Sequence, residues 1–217
     1  MHGLYRLLRA HIVLIMMPIR SITIFARTPV LGQVKTRLAA TLGDVAALNI
    51  YRETAETAFR AALGTSNAQV TVAFTPDDGL PAMQAWVAND VSYHPQGDGD
   101  LGERLSRAVR AAVQNGSRRI VVIGTDCPAI SAEIIEQALE LLGRADVVIG
   151  PARDGGYYLI ALRAEQPALF AGIPWSSSDT LTATLEAARR ANLRVKLLDE
   201  LVDIDTADDW REWCACR

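Results

Sequence analysis

Short apolar runs alternate with longer stretches of helical periodicity from about residue 20 to the C-terminus. The runs at 21–26, 120–124 and 147–150 are almost wholly hydrophobic. Runs of that length, rich in β-branched residues, predict strands buried on both faces. Further strands are expected at 69–74, 156–162 and 194–198. Between them, apolar residues recur at helical spacing: Val45, Leu48, Tyr51, Ala55, Ala58, Phe59 and Ala62 in one segment, and Leu101, Leu105, Ala108, Val109, Ala112 and Val113 in another. Asp44 and Ser131 stand where helix caps belong, Gly64 and Gly143 where helices stop, and a further helix is expected over 179–191. Strand and helix alternate throughout, which predicts an α/β fold with a mainly parallel open sheet flanked by helices. His94, between Tyr93 and Pro95, is expected in a loop.

In such a sheet, ligands lie outside the carboxyl ends of the strands. The residues that follow each predicted strand are consistently polar. After the first come Arg27, Thr28 and Pro29, then Gly32, Lys35, Thr36 and Arg37, a constrained basic loop of the kind that receives a phosphate. Lys35 and Arg37 are candidates to neutralise a diphosphate as charge builds on it; the other reading is a pair of solvated surface cations. After the strand at 120–124, Asp126 precedes Cys127 and Pro128, and a carboxylate there suits Mg²⁺ or Mn²⁺ shared with phosphates; it could equally cap the helix near Ser131. Asp203 and Asp205 stand two apart, so in an extended segment they point to one side and could share a cation, while Asp205 or Thr206 also reads as a helix cap. Gly97, Gly99 and Asp100 open a helix and either approach a ligand closely or form an ordinary turn. Asp154, Gly155 and Gly156 offer a hydroxyl acceptor beside a pair of glycines, or merely a bend in the chain. Residues 173–179 either wall an acceptor site or pack and start a helix.

Composition narrows the partners. The chain has 217 residues, half of them hydrophobic, and a formal net charge of -3, so no broad basic face is available for a nucleic-acid backbone. One domain is expected over 18–217. Residues 1–17 carry Arg6, Arg9 and His11 ahead of an apolar stretch too short to cross a bilayer; they read as an N-terminal extension or a mis-called start, with no stable membrane insertion. Three cysteines, Cys127, Cys214 and Cys216, give no disulfide framework and favour a cytoplasmic setting. His2, His11 and His94 do not form a metal set. No Walker, nucleophile-elbow or dinucleotide fingerprint is present.

Taken in order, the segments 25–29, 34–38, 100–104, 124–128, 154–157 and 203–206 resemble the DUF2064 family, also described as an arsenosugar-biosynthesis-associated glycosyltransferase family. The resemblance covers about residues 18–212 and implies a nucleotide-diphospho-sugar transferase (GT-A-like) fold. It implies Lys35 and Arg37 at the nucleotide phosphates and Asp126 at the metal. The chain is also similar, more distantly, to the nucleotidylyltransferases of molybdenum-cofactor and F420 synthesis. It departs from many nucleotidylyltransferases in having only Gly32 in its first loop, and from many GT-A enzymes in having a single acid at 125–127. A second ligand would then come from Asp203 or Asp205.

The site expectation is therefore Lys35, Asp126 and Asp154 for catalysis, with Asp154 as acceptor base. Arg27, Lys35, Arg37, Gly99, Asp100, Gly155 and Gly156 are expected to bind the nucleotide, and Asp126, Asp203 and Asp205 the Mg²⁺ or Mn²⁺. The resemblance implies glycosyl transfer from a nucleotide-sugar to a small acceptor. The alternatives are nucleotidyl transfer from an NTP to a phosphorylated or acidic acceptor, and a noncatalytic nucleotide-binding protein.

Overall fold

The computed structural model describes residues 19–87 and 91–216. The expected extension at 1–17, with His2 and His11, lies outside them. The apolar runs become β1 (Ile19–Arg27), β4 (Ser117–Ile123) and β5 (Val147–Pro151). They join β2 (Ala68–Thr75), β3 (Ser92–Pro95), β6 (Tyr157–Leu162) and β7 (Val195–Leu197) in a seven-stranded sheet of order β3-β2-β1-β4-β6-β5-β7. Every pairing is parallel except those of β6, which runs antiparallel to both β4 and β5. Residues 152–156 alone separate β5 from β6. That span is too short for the crossover a parallel neighbour needs, so the chain must reverse.

The helices are α1 (Thr36–Leu42), α2 (Asp44–Gly64), α3 (Leu80–Trp86), α4 (Leu101–Gln114), α5 (Ala132–Leu141), α6 (Thr180–Arg190) and α7 (Ala207–Ala215). Two cores sandwich the sheet. On one face Ile22, Ile24, Val72 and Phe74 pack with Tyr51, Ala55 and Phe59 of α2, Met83 of α3 and Ile135 of α5. On the other, Ile120, Val122, Ile149 and Ile160 pack with Leu105 and Val109 of α4 and Ala187 and Ala188 of α6. Each fully buried Ile or Leu contributes roughly 1.5–3 kcal/mol to holding the layers together. A third cluster of Leu38, Ala47, Ile50 and Ile204, with Trp210 and Trp213 against it, ties α1, α2 and α7 to the segment before α7.

Two expectations need correction, and one helix was not expected. His94 lies in β3, paired with Ala73, not in a loop; a four-residue, largely polar edge strand carries no alternation for a sequence reading to detect. The cap of α2 is Gly43, with Asp44 inside the first turn. α3 had no counterpart in the periodicity, being seven residues long with a proline in its first turn. Among the described residues no helix is long and apolar enough to cross a membrane.

Candidate active site

The strand ends converge as the sheet type requires. Beyond β1 the chain bends through residues 28–35, held to β2 by the Thr28 amide, which donates to the Thr75 carbonyl at 2.9 Å. Tyr51 of α2 clamps the last residue of β1: its hydroxyl donates to the Arg27 carbonyl and accepts from the Arg27 amide, both at 2.7 Å. Burial pushes the Tyr51 hydroxyl up to about 12, so it stays protonated as a structural pin. The bend ends at Lys35, which holds a left-handed backbone (φ 49°) just ahead of α1. A left-handed backbone is costly for a residue with a Cβ and concentrates at functional positions. Here it turns the side chain inward, to 6% exposure.

There the Lys35 ammonium bridges two carboxylates. Nζ contacts Asp126 Oδ1 and lies 2.8 Å from Asp205 Oδ1. Burial alone would lower the lysine pKa, but the charges and hydrogen bonds of both aspartates outweigh it and hold it above its ordinary value, so Lys35 is a fixed cation. Arg37, two residues further on in the first turn of α1 and largely exposed, reaches Asp205 Oδ2 only at 3.9 Å.

Asp126 comes from the loop after β4 and Asp205 from the segment before α7. These two pieces are stitched by the Ile204 amide, which donates to the Asp126 carbonyl at 2.9 Å. Asp203 is half-buried near Asp154 of the β5–β6 turn. Burial first, then the neighbouring Asp154 charge, raises its carboxyl to about 6. Asp154 in turn accepts from the Gly156 amide at 2.7 Å, an arrangement that shapes the turn. The two acids expected to share one cation thus divide their partners, Asp205 with Lys35 and Asp203 with Asp154.

These groups line a cavity of about 670 Å³ that also receives Arg27, Arg37, Gly156, Tyr157, Trp175 and Ser176. Three expected binders do not line it. Asp100 caps α4: its carboxylate accepts from the Glu103 amide at 2.9 Å while Glu103 accepts from the Asp100 amide at 2.9 Å. Gly99 takes φ +99° to enter that cap, and its carbonyl receives Arg104 Nε at 2.9 Å. Gly155 is a packing glycine, since a Cβ on it would sit 2.2 Å from the Ser178 carbonyl oxygen. The glycine-rich loop instead sends Leu101 and Arg104 into the cavity. Sequence reasoning passed over Tyr51, Gln96 and Arg104 as site residues. Arg104, one helical turn beyond the glycines, was detectable by position; Tyr51 was masked by its place on the core face of α2. Among the described residues no three acidic, histidine or cysteine groups are gathered into a ready-made metal cage.

Comparison with known proteins fits this geometry. A family model described as an uncharacterized protein conserved in bacteria (DUF2064) matches residues 58–177, more than half of the chain. The chain belongs to the DUF2064 family. A crystal structure from Desulfovibrio desulfuricans G20, provisionally described as a nucleotide-diphospho-sugar transferase, superposes with a TM-score of 0.85 and 35% identity over 91% of this chain and 87% of that one. The phosphoenolpyruvate guanylyltransferase of Chloroflexus aggregans is 28% identical over 84% of this chain and 92% of its own length. The 2-phospho-L-lactate guanylyltransferase of Methanocaldococcus jannaschii is 30% identical, but over only 50% of this chain and 48% of its own. This member of DUF2064 therefore has the nucleotide-diphospho-sugar transferase fold, and its fold is shared at lower identity (15%, TM-score 0.55) by a CMP-2-keto-3-deoxy-manno-octonic acid synthetase solved with CTP.

Proposed function

We propose that this protein transfers a nucleotidyl group from an NTP to a small phosphorylated acceptor and releases pyrophosphate. One observation carries the reading: a buried, permanently charged lysine and four aspartates from three loops face one cavity at the strand ends. The guanylyltransferase relatives favour this reaction over the glycosyl transfer that the sequence resemblance implied, and they make GTP the first donor to try.

The acids suit a divalent cation. Asp126 is half exposed, with one carboxylate oxygen on Lys35, and Asp203 lies beside Asp154 with its carboxyl raised by burial first and by that neighbouring charge next. Asp126 and Asp203 are the residues that would hold Mg²⁺ or Mn²⁺. With no three-ligand cage formed, triphosphate oxygens would complete the shell, as is usual for Mg²⁺. When bound, the ion would supply positive charge to the phosphates.

Around it, Lys35 and the exposed Arg37 and Arg27 stabilise the charge that grows on the departing pyrophosphate. Lys35 is already oriented, since its left-handed backbone and two carboxylate contacts leave it little freedom. An acceptor phosphate is anionic at neutral pH and attacks the α-phosphorus without surrendering a proton. On this reading Asp154 is not needed as a base; its pairing with Gly156 and its nearness to Asp203 suit a role in shaping the acceptor side.

The second reading is glycosyl transfer from a nucleotide-sugar, favoured by the description of the 35%-identical D. desulfuricans protein. One experiment separates the two. The purified protein is incubated with Mg²⁺ or Mn²⁺, a panel of NTPs and nucleotide-sugars, and phosphoenolpyruvate or 2-phospho-L-lactate as acceptors. Nucleotidyl transfer releases pyrophosphate and is expected with GTP. Release of a nucleoside diphosphate from a nucleotide-sugar, with no pyrophosphate from any NTP, would overturn the proposal.

A further inference from the structure

Lys35 meets carboxylates from two loops that do not need it to hold them together. The loop after β4 and the segment before α7 are already joined backbone to backbone, the Ile204 amide donating to the Asp126 carbonyl at 2.9 Å, and Ile204 is buried in a cluster with Leu38, Ala47 and Ile50. The ammonium nevertheless reaches across them, in contact with Asp126 Oδ1 and 2.8 Å from Asp205 Oδ1. A lysine side chain left only 6% exposed gives up solvation and rotamer freedom, and the backbone of the same residue is held at φ 49°. Joining the loops does not account for that cost. Compensating charge does.

Asp126, Asp154, Asp203 and Asp205 all border the cavity. Unpaired carboxylates around one space disfavour one another's charge. Among the described residues Asp154 and Asp203 have no ion pair, and Arg37 approaches Asp205 only at 3.9 Å from a largely exposed position. Lys35 is the buried cation that offsets this charge from within.

It does so on the carboxylate that suits an ion. Asp126 is half exposed, yet one of its oxygens is taken by the ammonium, so a divalent ion there shares the carboxylate with a positive charge. Among the described residues no three acidic groups are gathered to outweigh that repulsion. A nucleotide changes the balance, because its phosphates bring both oxygens for the ion and negative charge towards Lys35.

We propose that Lys35 is the empty protein's own cation, keeping divalent ions off Asp126 until a nucleotide arrives, so that ion and nucleotide are taken up together. The inference rests on the reading of Asp126 and Asp203 as the acids that hold the ion. By linkage, each of the two ligands then tightens the other by the same factor.

Titration of the full chain with Mn²⁺ in the absence of nucleotide, followed by the electron paramagnetic resonance of the free ion, tests it. The native chain is expected to bind Mn²⁺ alone weakly. Lys35→Met keeps the apolar stem, removes the charge, and should tighten Mn²⁺ alone by about tenfold or more. Lys35→Arg keeps the charge and should not. Arg37→Met, which removes the exposed cation nearby, should change little. Adding Asp126→Asn to Lys35→Met should abolish the gain, and in equilibrium dialysis the native chain should retain GTP far better with Mn²⁺ than without it. No tightening in a Lys35→Met chain that is folded by circular dichroism overturns the proposal, as does equal tightening in Arg37→Met; continued promotion of GTP retention by Mn²⁺ would then leave the ion-binding reading standing. Equal retention of GTP by the native chain with and without Mn²⁺ overturns it whether or not the variants fold. Absence of Mn²⁺ binding to native and variant chains alike, with GTP or without, removes the ion-binding reading and the proposal with it.

Discussion

The segments at 97–100 and 203–206 both set acidic residues just ahead of a helix, and each helix starts with a capping box. In the first, the aspartate is itself the cap, so its carboxylate is consumed by the amide of Glu103. In the second, Thr206 is the cap and Asp209 closes the box, with Asp209 Oδ2 also accepting from the Asp205 amide at 3.1 Å. Asp205 and Asp203 are thereby left free to face the cavity. Which residue performs the capping decides whether a neighbouring carboxylate is structural or available for chemistry.

The contrast can be broken most sharply at the rim. Asp126→Asn is expected to lower kcat/KM for the transfer reaction by about 10²–10³ and to remove the metal dependence of nucleotide binding, with the fold intact by circular dichroism. An unchanged Mg²⁺ dependence would return Asp126 to a structural role like that of Asp100. Next in size is Gly155→Ala, in a loop whose glycine serves packing. With φ +88° and the Ser178 backbone 2.2 Å from the added Cβ, the variant should lose more than about 2 kcal/mol of stability in urea unfolding. Asp100→Ala should cost about 1 kcal/mol through loss of the cap while leaving kcat nearly untouched. A large fall in kcat without a fall in stability would erase the distinction drawn between the two segments.

The smallest effect concerns Asp203. Its carboxyl is raised from the ordinary 3.8 to about 6 in the folded protein, so the fold favours the neutral acid. Below 3.8 both states are protonated and no penalty exists; it grows as pH rises and is complete above about 6. Asp203→Asn should therefore raise the melting temperature modestly at neutral pH and leave it unchanged below pH 3.8. The gain would come with weaker metal-dependent binding, the usual opposition between stability and function at a site of crowded charge.

Much of this was legible in the residues. The strands at whose ends Arg27, Asp126 and Asp154 lie are short, almost wholly apolar runs that local pattern alone specifies, so the sequence places the rim. The reversal at β6 was present in the sequence as a connection too short for a crossover, although periodicity does not express direction. Other features depend on contacts between distant parts of the chain. Nothing near Asp203 in sequence announces Asp154, and nothing in 97–104 says whether Asp100 faces a ligand or an amide.

The bridge from Lys35 to Asp205 spans 170 positions of the chain. During synthesis, the basic loop and most of the sheet emerge long before the acid that completes their site, and closing so distant a pair is entropically slow. The nascent polypeptide thus carries Lys35 well before one of the two carboxylates that fix its ammonium, and the lysine is held on that side only once Asp205 has been made and has folded back onto it.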